Sequence, residues 1–380
     1  MLRFFLVLVA ALALLCVGAP CLANGRFPAA QYLLVGPTAS GRTIALMTTF
    51  GPVISDDGGA TFHWICEPAL QYPGGQWDAS MAIDATGALH FGLPTGIIRA
   101  DVDRCTFPRA PALEGSAVVD LDQSEDGAEV VAAAVVGDMR AARGQLFHAA
   151  GGGSWAPLGD AQPDTLFTTL ELARSDRTRL YATAQRGDAL RPVFLRSDDG
   201  GAHLRELPFV LDTPLELRAA YIASIDPVQP DTVYVRALLA TASDDAGAAL
   251  DASVLLRTDD GGRNFHVLAR MNGAMRGFAI SDDGRSVWIG SAAADEGLQR
   301  SDDRGATFHR VAAVPVQSLR FHGGTLYVST SFTVTGYALA RSHDGGATLE
   351  PLLRFEDVAG AFACPSPSPE RELCAAAWPD

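Results

Sequence analysis

One eight-residue pattern returns five times along the chain: SDDGGATF at 55–62, SDDGGAHL at 197–204, TDDGGRNF at 258–265, SDDRGATF at 301–308 and SHDGGATL at 342–349. Two decayed copies fill the gap after the first, within RADVDRCTF at 99–107 and FHAAGGGSW at 147–155. The seven copies begin near residues 55, 100, 148, 197, 258, 301 and 342, one every 41 to 61 residues. A period in this range is the mark of a repeat architecture, in which each unit buries its apolar face only by stacking on its neighbours.

The units share their interior. An apolar hairpin comes first, as in LELARSDRTRLYATA or FAISDDGRSVWIGSA. A third run such as VFLRSDDGG enters the repeated turn, and a fourth such as TFHWI or NFHVL leaves it. Short runs rich in Val, Ile, Tyr and Phe, bounded by Gly, Asp and Pro, are strands. Four antiparallel strands per unit, repeated seven times, predict an all-β chain folded as a single seven-bladed β-propeller. The repeated turn then joins the third and fourth strands of a blade.

The chemistry of the turn accounts for its repetition. Ser55, Ser197, Thr258, Ser301 and Ser342 open it. The carboxylates of Asp57, Asp199, Asp260, Asp303 and Asp344 are placed to accept loop N–H groups, as in Asx turns. Gly59, Gly201, Gly262, Gly305 and Gly346 supply positive φ. Thr61, Thr307 and Thr348 close the turn, and Phe62, Phe265 and Phe308 pack a ring beneath it. The EF-hand order of ligands is absent, so the corner is structural and no metal or cofactor is expected.

Composition narrows the function classes. Residues 1–23 carry one charge, Arg3, ahead of a long apolar run and a small residue at Ala23, which predicts a cleaved secretory signal. The propeller is expected over residues 24–380, with a C-terminal hairpin at 358–377. The formal net charge is −15, and an acidic surface repels phosphate backbones and anionic lipid, so neither nucleic acid nor membrane insertion is expected. The chain has no lysine, which excludes Schiff-base lysines, Walker phosphate loops and serine–lysine dyads; an all-arginine composition also points to a GC-rich bacterial genome. Beyond the signal, Cys66, Cys105, Cys364 and Cys374 form an even set, as an exported disulfide protein has. If 358–377 is a hairpin, Cys364 and Cys374 are cross-strand neighbours within disulfide reach. The expected pairs are therefore Cys364–Cys374 and Cys66–Cys105, the latter tying the decayed second corner.

The pattern S-x-D-x-G-x-T-[WF] resembles the Asp-box, or BNR, repeat found in sialidases, oligoxyloglucan hydrolases, sortilin-like receptors and a photosystem II assembly factor. The resemblance covers residues 31–355. It implies the propeller fold, with the boxes away from the active sites of the enzymes that carry them.

The enzyme readings need more than the fold. A sialidase needs an arginine triad, a tyrosine–glutamate pair and an aspartate; Arg218, Arg276 and Arg320 lie on innermost strands but not at equivalent positions. An oligoxyloglucan hydrolase needs a cleft between two propellers, and one is present here. His63, His266 and His309 recur at one position of different blades, so they are spread around the rim. The most irregular connections, 67–78 and 239–252, fall on the face opposite the corners. They nominate Tyr72, Trp77, Asp244, Asp245 and Asp251 as a candidate binding face. The sequence is accordingly read as an exported, monomeric, non-catalytic binding or scaffold protein for a carbohydrate or protein ligand, acting outside the cell, at its surface or in the periplasm. A sialidase-type glycoside hydrolase and an assembly factor for a membrane-protein complex remain as alternatives.

Overall fold

The computed structural model describes residues 27–36, 43–72, 77–137, 142–211, 216–243 and 249–378; the expected signal at 1–23 lies outside them. The chain forms a seven-bladed β-propeller of antiparallel sheets, each built from consecutive strands. The innermost strands are Ala30–Val35, Ser80–Ile83, Ala117–Gln123, Thr165–Leu172, Leu217–Ile225, Met275–Ile280 and Val316–His322. Apolar clusters lie between successive blades, such as Val131, Leu146, Phe167, Leu180 and Leu195 between blades 3 and 4. This is the stacked core that a 41- to 61-residue period requires.

The corners sit where the third strand turns into the fourth. Ser55 Oγ accepts the Gly59 N–H at 2.8 Å and donates to Asp57 Oδ1 at 2.7 Å; Asp57 Oδ1 also accepts the Ala60 and Thr61 N–H groups, each at 3.0 Å. The same hydroxyl–glycine and hydroxyl–carboxylate bonds recur at Ser197, Thr258, Ser301 and Ser342. Gly262 is held at φ 95°, and a Cβ there would come within 2.4 Å of the Phe194 ring in the preceding blade. Glycine is needed for both reasons. Phe62, Phe265 and Phe107 are buried beneath their corners.

Blade 2 departs from the others. Its sheet has three strands, and the fourth is reduced to one bridge between Ile98 and Arg109. Pro108 and Pro111 flank that bridge and remove the donors a longer ladder needs. Arg104 occupies the place of the corner glycine at φ 59°. Its buried guanidinium pairs with Asp56 of blade 1 at 2.9 Å.

The C-terminal segment corrects two expectations. Residues 358–377 are not a hairpin. Pro365, Pro367 and Pro369 supply no N–H for a ladder, and the following ERELCAAA winds into a helical turn over Glu370–Cys374 and Ala375–Ala377. Ahead of the prolines the chain runs beside the outer strand of blade 1: the Ala359 N–H donates to Phe62 O at 2.9 Å and the Trp64 N–H to Gly360 O at 2.8 Å. The disulfides are Cys66–Cys374 and Cys105–Cys364, not Cys66–Cys105 and Cys364–Cys374, with Cα–Cα distances of 5.2 and 5.5 Å. With no hairpin, the two C-terminal cysteines each face a different blade. Blades 1 and 7 each come from one continuous stretch, so no shared sheet closes the ring. Closure comes from an apolar interface (Leu33, Ile44, Leu46 and Phe62 with Leu339 and Leu353) and from this doubly cross-linked tail.

Candidate functional site: the axial channel

The innermost strands start at the face opposite the corners and end at the corner face, so their inward side chains line a channel along the propeller axis. Two adjoining cavities of about 380 and 190 Å³ occupy it. Three carboxylates project into the channel: Asp120 and Asp122 from blade 3, in the segment AVVDLDQ, and Glu171 from blade 4. Arg320 of blade 7, Tyr32 of blade 1 and Arg174, just beyond the inner strand of blade 4, also line it. Beyond the irregularity between Val118 and Asp120, the period-2 alternation that buries Leu121 turns Asp120 and Asp122 inward together.

Each carboxylate is already engaged. Asp120 Oδ2 accepts the Leu170 N–H at 2.9 Å and Oδ1 the Leu121 N–H at 3.0 Å. Asp122 Oδ2 accepts the Leu172 N–H at 2.7 Å. Glu171 Oε1 accepts the Ser224 hydroxyl at 2.9 Å. The acids of blade 3 thus cap backbone donors of blade 4, and the acid of blade 4 reaches blade 5. Inner strands of neighbouring blades share no ladder, so their inward N–H groups need such acceptors.

The electrostatics follow from depth and crowding. Burial, with the neighbouring Asp122 and Glu171 charges, pushes Asp120 up to about 8, against the opposing pull of its two backbone hydrogen bonds. Asp122 is raised chiefly by burial, and Glu171 by burial and the Asp122 charge. Three anions in one low-dielectric passage repel, and protonation relieves the repulsion. The Tyr32 hydroxyl is likewise raised by burial and by Asp120. Arg320 is lowered, by burial and then by Arg174. Among the described residues no group of three His, Cys, Asp or Glu side chains is arranged to hold a metal ion.

The structure treats the candidates from sequence unevenly. Arg320 and Arg276 line the channel, whereas Arg218 is exposed beside Glu216. Tyr72 is 6% exposed and its hydroxyl accepts the Trp77 N–H at 3.0 Å. The Trp77 indole donates to Gly92 O at 3.1 Å and packs against the core of blades 1 and 2. Neither aromatic is presented to a ligand: in an irregular connection, burying a ring and satisfying its polar tip stabilises more than exposing it. Asp244 and Asp245 lie outside the described residues, and Asp251 falls on the third strand of blade 5. Sequence reasoning missed Asp120, Asp122 and Glu171. The signal was two acids at i and i+2 on an innermost strand, where one face of an apolar strand is expected.

The chain matches no protein-family model and no curated protein sequence. Among solved structures it is similar to an oligogalacturonate lyase in complex with manganese, at 12% identity, with 80% of this chain and 86% of that one covered and a TM-score of 0.52. It is also similar to the GH74 xyloglucanase from Xanthomonas campestris, at 16% identity, with 84% and 63% covered and a TM-score of 0.39. A third similar structure is YCF48 bound to D1 peptide, at 17% identity, with 63% and 68% covered and a TM-score of 0.38. The chain thus spans less than two thirds of the xyloglucanase. At such identities the likeness is one of fold, the β-propeller, and extends no further.

Proposed function

We propose that the chain is an exported, monomeric Asp-box propeller that acts as a non-catalytic binding or scaffold module, with the axial channel as its ligand site and a carbohydrate or protein as its partner. One observation carries the non-catalytic part. The channel carboxylates are committed to hydrogen-bond donors of the neighbouring blades, which gives Asp120, Asp122 and Glu171 a structural task. Two disulfides, both joining distant parts of the chain, support export to an oxidising compartment. Titration calorimetry against neutral and acidic oligosaccharides and extended peptides, run beside chromogenic glycosides, tests the reading. Binding without turnover is expected; turnover abolished by Asp120→Asn would replace it.

That second outcome has its own support. Asp120 and Glu171 share a channel with Arg320, and an acid held protonated near neutral pH is what a glycoside hydrolase of sialidase type needs as its proton donor.

A further inference from the structure

A cavity of about 330 Å³ lies off the propeller axis and shares no lining residue with the two channel cavities. It is set where the inner strands of blades 3 and 4 begin and where the second strand turns into the third in blades 2, 3 and 4. Pro94 of blade 2, Val135 of blade 3 and Leu166 and Leu190 of blade 4 give it an apolar wall that spans three blades. Asp164 and Asp188 line it as well, and both are exposed. Among the described residues neither carboxylate has an ion pair or a side-chain hydrogen bond. The arginines of the same hairpin are engaged elsewhere, since Arg186 and Arg191 both pair with Glu206.

The backbone singles out the same place. Five non-glycine residues among the described residues hold a positive φ, and two of them border this cavity: Asp164 at 47° and Leu190 at 50°. Aspartate enters this region readily, whereas leucine does so at a steric cost. Leu190 is 47% exposed, so burial within the chain does not offset that cost. The turn that carries it is anchored, with the Gly187 N–H donating to Asp164 O at 2.9 Å and the Leu190 N–H to Gly187 O at 3.0 Å. A strained apolar residue held at the mouth of an apolar cavity, beside unpaired carboxylates, marks a surface kept for a contact.

The lining dictates the chemistry of that contact. A long basic side chain lays its apolar stem on an apolar wall and keeps its charged head within reach of carboxylates. A wall that crosses three blades also has room for an apolar neighbour of that side chain. The formal net charge of −15 attracts such a segment from a distance. We propose that this cavity docks an extended peptide segment of a protein partner, with an Arg or Lys side chain directed at Asp164 and Asp188 and an apolar side chain packed on Leu166 and Leu190. The site is separate from the axial channel and stands whether or not the channel takes a ligand.

Short random peptides displayed on phage and selected on the immobilised full chain test it. Enriched sequences should carry Arg or Lys beside, or next but one to, a Leu, Ile, Val, Met or Phe. The enriched peptide, synthesised with a fluorescent label, should bind the parent with an affinity that falls as NaCl rises. Asp164→Asn/Asp188→Asn should weaken binding about fivefold, the worth of two exposed ion pairs. Leu190→Asn should weaken it about tenfold. Because asparagine accepts the left-handed backbone, that variant should melt no lower than the parent. A purely structural Leu190 gives the reverse, a lower melting temperature with unchanged binding, and overturns the site. So does a selection that yields acidic or uncharged sequences or none, or peptide binding that both variants retain. Peptide binding lost in Arg320→Gln but kept in both cavity variants would place the peptide in the channel, against the proposal. Full displacement of the peptide by an equal concentration of phenethylamine would make a small amine the occupant and overturn the docking of a segment.

Discussion

Five corners of this propeller hold themselves together, and the corner of blade 2 is held from outside as well. At Ser55, Ser197, Thr258, Ser301 and Ser342 a hydroxyl, a carboxylate and a glycine within five residues satisfy the loop. Blade 2 has Ala100, Val102 and Arg104 at those three places. Its loop keeps local bonds from the Thr106 hydroxyl to the Asp101 carboxylate and from the Cys105 N–H to Asp103 Oδ1, and is tied further by an ion pair to blade 1 through Arg104 and by a disulfide from Cys105 to the C-terminal tail. A second polar cluster stands one strand away, where Asp84 bonds to His90 at 3.0 Å and to Arg99 at 3.3 Å. The difference teaches that a corner must be restrained but that the restraint need not be local. A corner that lacks the hydroxyl–carboxylate–glycine set adds long-range ties, and those same ties close the ring.

The largest expected effect therefore comes from the tail. With Cys105–Cys364 intact, Cys66–Cys374 closes only the loop made by the two short arms 66–105 and 364–374. The Cys66→Ser/Cys374→Ser double variant should lose about 4 kcal/mol, and removal of both bridges about twice that. Urea unfolding read by tryptophan fluorescence measures it. An unchanged midpoint would mean that packing between blades 1 and 7 closes the ring unaided.

Next comes Arg104→Ala. The variant loses the ion pair to Asp56, the bonds to the carbonyls of Ala100 and Asp101, and a fully buried stem. Asp56 is 37% exposed in its side chain and can be solvated when left alone. The cost should thus be about 2–3 kcal/mol, below that of stranding a buried charge. Arg104→Gly tests the comparison more sharply. It restores the residue that the other corners use and relieves the φ of 59°, so it should fold with a smaller loss than alanine. A glycine variant weaker than the alanine one would show that blade 2 never adopts the common corner backbone.

At an intact corner the effect is smaller. Asp260→Ala leaves the Arg263 and Asn264 N–H groups without their acceptor, in a loop that water partly reaches, and about 1–2 kcal/mol is expected. Ligand affinity should not change, because the corners join the third and fourth strands of the blades, on the outer side away from the axial channel. An Asp260→Ala protein with parental stability and lost binding would remove the distinction between corner and site.

How much of this was legible follows from the range of the interactions. The corners are closed by bonds four residues apart or less, so their pattern, and with it the blade count and strand order, stands in the sequence. The channel acids were visible only as an oddity, two charges on the inward face of an innermost strand. Their partners Leu170 and Leu172 lie about fifty residues on in the next blade, which no local pattern reveals. The disulfides went wrong for the same reason. Their partners are separated by 308 and 259 residues, and a hairpin expected at 358–377 from likeness to the first two strands of a blade offered a nearer but false pairing. Proline at 365, 367 and 369 was the signal against it.

The subtlest expected effect is one of pH. Burial tends to raise Asp260, but the hydrogen bonds from Asn264, Thr258 and the Arg263 amide outweigh it and bring the carboxyl down to about 2. Asp199, Asp303 and Asp344 are brought to about 2 mainly by their own hydrogen bonds. An unfolded aspartate titrates near ~3.9. Since the folded value is the lower one, each corner contributes its full stability above about pH 5 and loses it as pH falls through 4 towards 2. The disulfides that restrain blade 2 have no such window. The gap in urea midpoint between the parent and Asp260→Ala should accordingly be widest above pH 5 and narrow as pH falls towards 2. The corresponding gap for Cys66→Ser/Cys374→Ser should stay level over the same range. An Asp260→Ala gap that does not move with pH would mean that the corner carboxylate acts by shape rather than by charge, and the two kinds of restraint would then differ only in reach.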